Sequence, residues 1–228
     1  MTQETRLISV LAVLGICTVL PGVGRTGELY AQDPGAEALM EEAGSRYQAL
    51  QGFCATFRQT LAVPLLDQVT DSQGRLCQEK PNLFAMRFTQ PEGDAIVADG
   101  EWFWVYYPSS DARQVLQFAM NDHPGGMDFH REFLEAPGEK YRMTYLGEEV
   151  LDGSSTAHVI SLVPLDPAGF DDARIWLDRE SSLILQARIE MENGSVRTVR
   201  LSDIELNPTP DPDRYRFTPP PGAQVIRR

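Results

Sequence analysis

Two segments decide the fold: FCATFRQTL at residues 53–61 and VTDSQGRLCQEK at residues 69–80. Each alternates apolar and polar residues, which is typical of a half-buried strand. The residues between them, Pro64 to Asp67, have turn chemistry, so the pattern predicts a hairpin. The turn contains the midpoint between Cys54 and Cys77, and the two cysteines are therefore predicted to lie opposite each other.

This register gives the hairpin one polar face and one apolar face. Its polar cross-strand pairs are Thr56 with Arg75 and Arg58 with Gln73, and its apolar pairs are Ala55 with Leu76 and Phe57 with Gly74. A sheet with one face on a core has this arrangement.

The first 31 residues predict an export signal. An apolar run from Leu7 to Leu20 follows Arg6, and Ala31 stands before a cleavage point near Gln32. The run is shorter than the roughly 20 residues that a spanning helix needs. An uncleaved membrane anchor is the alternative. Residues 32–228 are predicted to form one exported domain.

Export leaves Cys54 and Cys77 as an even pair in an oxidising compartment. A disulfide is the default expectation there, and two buried free thiols are the alternative.

The rest of the chain predicts one helix and an antiparallel meander. Apolar residues spaced four, four and three apart indicate an amphipathic helix from Ala36 to Leu50. Turn pairs such as Asp99-Gly100 and Asn193-Gly194 separate β-branched and aromatic runs. Further strands are predicted at Leu83–Thr89, Ala95–Ala98, Glu101–Tyr107, Arg113–Met120, Tyr141–Val150, Thr156–Val163, Arg174–Asp178, Leu183–Met191 and Arg197–Leu206. The sheet is predicted to be open or rolled into a barrel.

Two segments fall outside this pattern. Residues 122–140, which we call the flap, carry Met127, Phe129, Phe133 and Leu134 and predict a short apolar helix over the sheet. The proline-rich segment from Pro208 onward predicts an extended, loop-rich end.

Charge and motifs exclude several classes of function. A net charge of −13 disfavours nucleic acid and anionic membrane surfaces as partners. His123, His130 and His158 lack metal-ligand spacing. Ser154-Ser155 near His158 and Asp152 lacks a nucleophile elbow and fits a hairpin turn. The adjacent carboxylates point apart on any regular element and indicate a solvated surface: Glu41-Glu42, Glu148-Glu149 and Asp171-Asp172.

Apolar residues exceed what one core face needs. Phe84, Met86 and Phe88 share one face of a strand, while both faces of residues 101–107 are aromatic or β-branched. Together with the flap, these residues favour an apolar ligand groove. The alternative is that they are simply core.

An ordered set of motifs runs through the chain: Tyr47-x-x-Leu50-x-x-Phe53-x-Ala55-x-Phe57-x-Gln59, Gly74-x-Leu76, Lys80-Pro81-Asn82-x-Phe84, Asp99-Gly100, Trp104-x-Tyr106-x-Pro108 and Phe217-x-Pro219-Pro220-x-Gly222. Over residues 36 to 226, this set resembles the LolA family, carriers of outer-membrane lipoproteins.

The resemblance implies a mainly β fold, an unclosed antiparallel β-barrel with a helical lid over a hydrophobic cavity. It implies a monomeric periplasmic carrier, without cofactor or covalent chemistry. Such a carrier takes acylated lipoproteins from a LolCDE-like inner-membrane ABC transporter to a LolB-like outer-membrane acceptor. One alternative is a half-barrel binding module that senses lipid or lipoprotein, a class that usually carries a further C-terminal domain. An exported hydrolase is a more remote alternative.

Site residues follow from this resemblance together with the apolar pattern. Lys80 stands where the family has an arginine that holds the lid, and is expected to latch the flap by donating to backbone carbonyls of the flap. A solvated surface lysine is the alternative. The expected acyl groove consists of Phe57, Phe84, Met86, Phe88, Trp102, Trp104, Tyr106, Met127, Phe129 and Phe133.

Overall fold

The computed structural model describes residues 35–120, 130–153 and 155–228. The predicted export signal lies outside the described residues. Within them, no helix is both long and apolar enough to cross a membrane.

One long helix and a series of strands make up these residues. The helices are α1 (Ala36–Gln48), α2 (Pro108–Asp111) and α3 (Pro137–Lys140), with 3-10 turns at Pro64–Leu66 and Pro212–Tyr215 and a π-helical turn at His130–Leu134. The strands are β1 (Gly52–Val63), β2 (Gln68–Glu79), β3 (Leu83–Gln90), β4 (Glu92–Asp99), β5 (Trp102–Tyr106), β6 (Gln114–Ala119), β7 (Tyr141–Leu151), β8 (Ser155–Pro164), β9 (Phe170–Asp178), β10 (Ile184–Met191), β11 (Val196–Leu206) and β12 (Gln224–Arg227).

The described strands form a single sheet in the order β12-β6-β5-β4-β3-β2-β1-β11-β10-β9-β8-β7. Neighbours are antiparallel except β12 and β6, which are parallel. The sheet is open and curled, with β12 at one end of the order and β7 at the other. The predicted unclosed antiparallel barrel is confirmed.

The register of the β1–β2 hairpin is the predicted one. Cys54 lies opposite Cys77, and a disulfide joins them. Gly74 sits where the pairing of β2 with β3 shifts, and a Cβ there would lie 2.0 Å from the carbonyl oxygen of Arg87. Only glycine allows the two strands to approach so closely at this point.

Helix α1 packs against the inner face of the curled sheet. Met40, Ala43 and Tyr47 are buried in one cluster with inner-face side chains of β1 and β3. The backbone N–H of Ile184 donates to the Tyr47 hydroxyl at 3.2 Å. Burial raises the pKa of Tyr47, so the phenol stays protonated and ties α1 to β10.

The C-terminal segment differs from the prediction. It crosses the outer face of the sheet, where Arg87 Nη2 donates to the carbonyls of Arg214 at 3.2 Å and Arg216 at 2.7 Å. It then forms β12 beside β6. The sequence did not predict this strand, because four residues carry little pattern and their partner strand lies far earlier in the chain.

A second correction concerns β9, which begins at Phe170 rather than Arg174. The polar pair Asp171-Asp172 interrupts the apolar pattern at this point, so the sequence did not predict the first residues of β9 as part of a strand.

Candidate ligand-binding site

Five of the predicted groove residues lie together on the inner face. Phe57, Phe84, Met86, Phe88 and Phe133 are buried in one cluster. The Phe57 and Phe88 rings meet edge to face with centroids 5.0 Å apart. Residues of α1 and the described flap residues Phe133 and Leu134 belong to the same cluster, so the described residues form an apolar interior beneath these elements.

The other three strand residues lie on the opposite face, contrary to the prediction. Trp104 packs in a separate outer cluster, and Trp102 and Tyr106 pack against it. The C-terminal residue Phe217 covers them, with ring centroids 5.6 Å from Trp104 and 5.8 Å from Tyr106. Because β5 is apolar on both faces, alternation alone could not tell which face is inner.

The inner face of β5 carries residues that the groove prediction omitted. Phe103 and Val105 are buried in the inner cluster, and Tyr107 packs against it with its ring 5.9 Å from that of Phe88. These three residues are spaced two apart and alternate with Trp102, Trp104 and Tyr106, which was the available signal. Both sets are apolar, so the pattern could not show which set faces the interior.

The flap is described from residue 130 onward, so Met127 and Phe129 lie outside the described residues. Its buried Phe133 packs against Tyr141 and Phe170 with centroid distances of 6.1 and 6.0 Å. The Tyr141 hydroxyl donates to Glu132 Oε1 at 2.7 Å. Desolvation raises the pKa of Tyr141, and the Glu132 carboxylate raises it further, so this donor persists at neutral pH.

The backbone of α1 at Gly44 lies directly against the backbone of the flap at Leu134. A Cβ added at Gly44 would lie 2.9 Å from the carbonyl oxygen of Leu134. Real Cβ atoms do not come so close to a backbone oxygen, so glycine at this position lets the flap close on the helix.

Gly44→Ala is therefore expected to loosen the flap although alanine favours helix formation by about 1 kcal/mol. Hydrogen exchange should be faster in residues 133–140 and unchanged in β12. Ser45→Ala, an exposed neighbour on α1, serves as the control. Equal flap exchange in wild type and Gly44→Ala would show that this contact does not hold the flap closed.

A pocket of about 350 Å³ opens where the end of α1, the β2–β3 turn and the flap converge. Its lining includes Tyr47 and Phe53 of the inner cluster, and Lys80 and Glu135 at the rim. Its size is within the range of ligand sites.

Lys80 differs from its predicted role. Its Nζ donates to the carbonyl oxygen of Gln48, the last residue of α1, so the described bond holds the helix rather than the flap. A cation at a helix C-terminus is favourable, because the last carbonyls carry a partial negative charge and lack intrahelical donors. The sequence could not reveal this acceptor, since the pairing joins two separate elements.

The far end of the interior is polar. Arg197 opposes Leu61 at the hairpin end of β1, whereas Lys80 lies beyond the Gly52 end. Burial lowers the pKa of the Arg197 guanidinium from its ordinary value, although Tyr107 opposes this, and the group stays charged at neutral pH. Burial likewise raises the pKa of Tyr107.

Of the remaining polar candidates, His123 and Ser154 lie outside the described residues. The His158 Nδ1 lies 3.2 Å from the Tyr145 hydroxyl and 3.5 Å from Glu148 Oε1, between β7 and β8. Among the described residues, no three His, Cys, Asp or Glu side chains gather as a metal site.

These features define a class of protein: an open antiparallel half-barrel whose apolar inner face lies under one helix and a flap. Such a fold suits reversible binding of apolar ligands. A family model described as outer membrane lipoprotein carrier protein LolA matches residues 48–218. The chain belongs to the LolA family.

Individual relatives are distant. An outer-membrane lipoprotein carrier protein of Halorhodospira halophila is 28% identical over 159 residues, covering 69% of this chain and 70% of its own. The protein of that name from Nitrosomonas europaea is 26% identical over 175 residues, covering 77% and 82%. A structure of an uncharacterized conserved protein from Thermus thermophilus shares the fold, with a TM-score of 0.55 at 15% identity over 85% of this chain and 99% of that one.

Proposed function

We propose that this protein is a periplasmic carrier that binds the acyl chains of lipoproteins on the inner face of its half-barrel. One observation carries the proposal: a continuous apolar cluster spans the inner face and is covered by α1 and the flap rather than by a second sheet. Membership of the LolA family supports the same function.

In the proposed cycle the carrier receives a lipoprotein from a LolCDE-like inner-membrane transporter. It delivers the lipoprotein to a LolB-like outer-membrane acceptor. It acts as a monomer by binding and release, without covalent chemistry. Residues 1–31 direct export and are removed, and residues 32–228 form the carrier domain.

Energetics require a cover that moves. Burying one acyl chain of about 15 methylenes at about 0.8 kcal/mol each contributes about 12 kcal/mol, and several chains would approach the limit of non-covalent binding. Displacing α1 and the flap from the inner cluster offsets part of this gain. The same cover keeps the apolar face from water when the carrier is empty.

The two ends of the interior have different roles in this proposal. Chains enter at the pocket beside Lys80, where the covering elements converge. Arg197 closes the hairpin end, because an acyl chain cannot replace the water and hydrogen bonds that a guanidinium requires. The apolar length between these ends limits how deeply a chain is buried.

Lys80→Leu is expected to loosen the end of α1 without unfolding the protein. The bond to Gln48 is exposed, so we expect it to contribute about 1 kcal/mol, a factor of about 5 in opening. Hydrogen exchange at residues 47–50 should rise, uptake of lipoprotein should persist, and transfer to the acceptor should slow, because the helix returns less readily. Lys80→Arg keeps the donor and should behave as wild type. Unchanged exchange with normal transfer would remove Lys80 from the mechanism.

Mass spectrometry of material bound to the carrier purified from the native periplasm tests the proposal. We expect polypeptides with an acylated N-terminal cysteine. Phospholipid alone would instead indicate a lipid carrier, and protein without bound acylated material would contradict the proposal.

A further inference from the structure

Besides Arg75 and Arg87, which oppose each other on β2 and β3, four arginines form two cross-strand pairs on the outer face of the sheet. Arg58 of β1 opposes Arg200 of β11, and Arg188 of β10 opposes Arg174 of β9. The residues on either side of each arginine point inward, so all four side chains project from the outer face. We call this set the arginine belt.

This arrangement is unfavourable for the fold alone. Like charges directly opposite each other destabilise an antiparallel pair. The belt is also positive within a chain of net charge −13. In α1 and residues 130–140 of the flap, acidic residues outnumber basic ones: Glu37, Glu41, Glu42, Glu132, Glu135 and Glu139 against Arg46, Arg131 and Lys140.

Internal carboxylates neutralise half of the belt. Arg200 Nη1 lies 2.5 Å from Asp152 Oδ1, and Arg188 Nη2 lies 3.3 Å from Glu190 Oε2. Arg188 Nη1 is also 3.9 Å from Asp172 Oδ1.

The other half is left exposed. Arg58 and Arg174 are exposed and form no ion pair in the part of the chain that the structure describes. Their guanidinium groups can therefore bind an external anion without breaking an ion pair within the protein.

The surroundings of the belt favour polar recognition. Thr60 opposes Thr198, and Thr198 opposes Arg188 on the next strand, while Gln186 Oε1 accepts from Arg200 Nε at 3.1 Å. Guanidinium forks flanked by hydroxyl and amide groups suit carboxylates or phosphates.

The carboxylates that lie beside the belt favour a protein partner over a lipid surface. Three carboxylates lie beside the belt arginines: Asp152, Asp172 and Glu190. A uniform plane of phosphates would face these carboxylates as well. A folded partner can instead place its own carboxylates against the arginines alone. Complementary charge of this kind gives specificity and fast association.

We propose that the arginine belt docks an acidic surface of a membrane-bound protein partner, from the side opposite to the ligand. This docking site goes beyond the proposed function. Only the choice of envelope membranes as the source of the partner rests on that function. Docking on the outer face leaves α1 and the flap free to move.

Cosedimentation of the full-length mature protein with inner- and outer-membrane vesicles of the source organism tests this. Arg58→Glu/Arg174→Glu is expected to reduce binding to at least one vesicle type by about tenfold or more, and added salt should weaken wild-type binding. Its thermal stability should equal or exceed that of the wild type, since each new carboxylate faces an arginine.

A matched control variant changes the net charge by the same amount at another place on the sheet. Arg113→Glu/Arg228→Glu reverses two exposed arginines beside β6 and β12, at the other end of the sheet, and should bind as the wild type does. Vesicles shaved with protease and liposomes of the extracted lipids should bind weakly.

Two results would overturn the proposal. One is equal vesicle binding by the belt variant and the control. The other is wild-type binding to lipid liposomes as strong as to untreated vesicles, which would assign the belt to phosphate headgroups. Binding of a palmitoylated peptide to the same variants separates the docking proposal from the carrier proposal. The belt variant should bind the peptide as the wild type does. Failure of the wild type to bind the peptide would contradict the carrier function alone.

Discussion

Loss of the Cys54–Cys77 disulfide is expected to lower the free energy of unfolding by about 3 kcal/mol. The bond closes a loop with a sequence separation of 23, and the chain-entropy model gives about this value for such a loop. It joins β1 and β2, the strands that connect the two halves of the sheet. Chemical denaturation of Cys54→Ala/Cys77→Ala against oxidised wild type measures the effect.

A reductant provides the control for the disulfide. It should destabilise the wild type by a similar amount and leave the double variant unchanged, because only the former has a bond to lose. Free thiols at Cys54 and Cys77 in the unreduced, denatured protein would show that the bond does not form.

Ligand binding should depend on which face of β4 is altered. Ile96 and Val97 are adjacent and buried, but Ile96 belongs to the inner cluster and Val97 to the outer one. Ile96→Thr and Val97→Thr each bury a hydroxyl, and a poorly paired hydroxyl costs about 1–3 kcal/mol. Both variants should lose stability, whereas only Ile96→Thr should weaken binding of a palmitoylated peptide, by about tenfold for a loss of about 1.4 kcal/mol.

The paired design separates binding from stability. Fluorescence titration gives the affinity, and chemical denaturation gives the stability of each variant. Equal loss of affinity in both variants would mean that binding follows general stability, and loss only in Val97→Thr would place the ligand on the outer face.

Local patterns predicted most of the fold. The β1–β2 register followed from alternation and turn chemistry alone, since the disulfide partners and every cross-strand pair in this hairpin depend on neighbouring sequence. The closure of β1 on β11 and the short β12 were different: they join residues far apart in the chain, and nothing in a four-residue strand identifies its partner.

The candidate site was predicted less well than the fold. Phe84, Met86 and Phe88 were placed together correctly because their strand alternates clearly. Trp104 was assigned to the wrong face because both faces of β5 are apolar, and only the covering Phe217 distinguishes them. Lys80 was predicted to bind the flap, and its acceptor on α1 emerges only from the packed helix.

The central claim is that acyl chains replace α1 and the flap on the inner face. Photocrosslinking with a lipopeptide that carries a diazirine in its acyl chain tests this most directly, with adducts located by peptide mass spectrometry. We expect adducts on Phe57, Met86 and Phe88 of the inner cluster. Adducts confined to Trp104 and Phe217 on the outer face would contradict it.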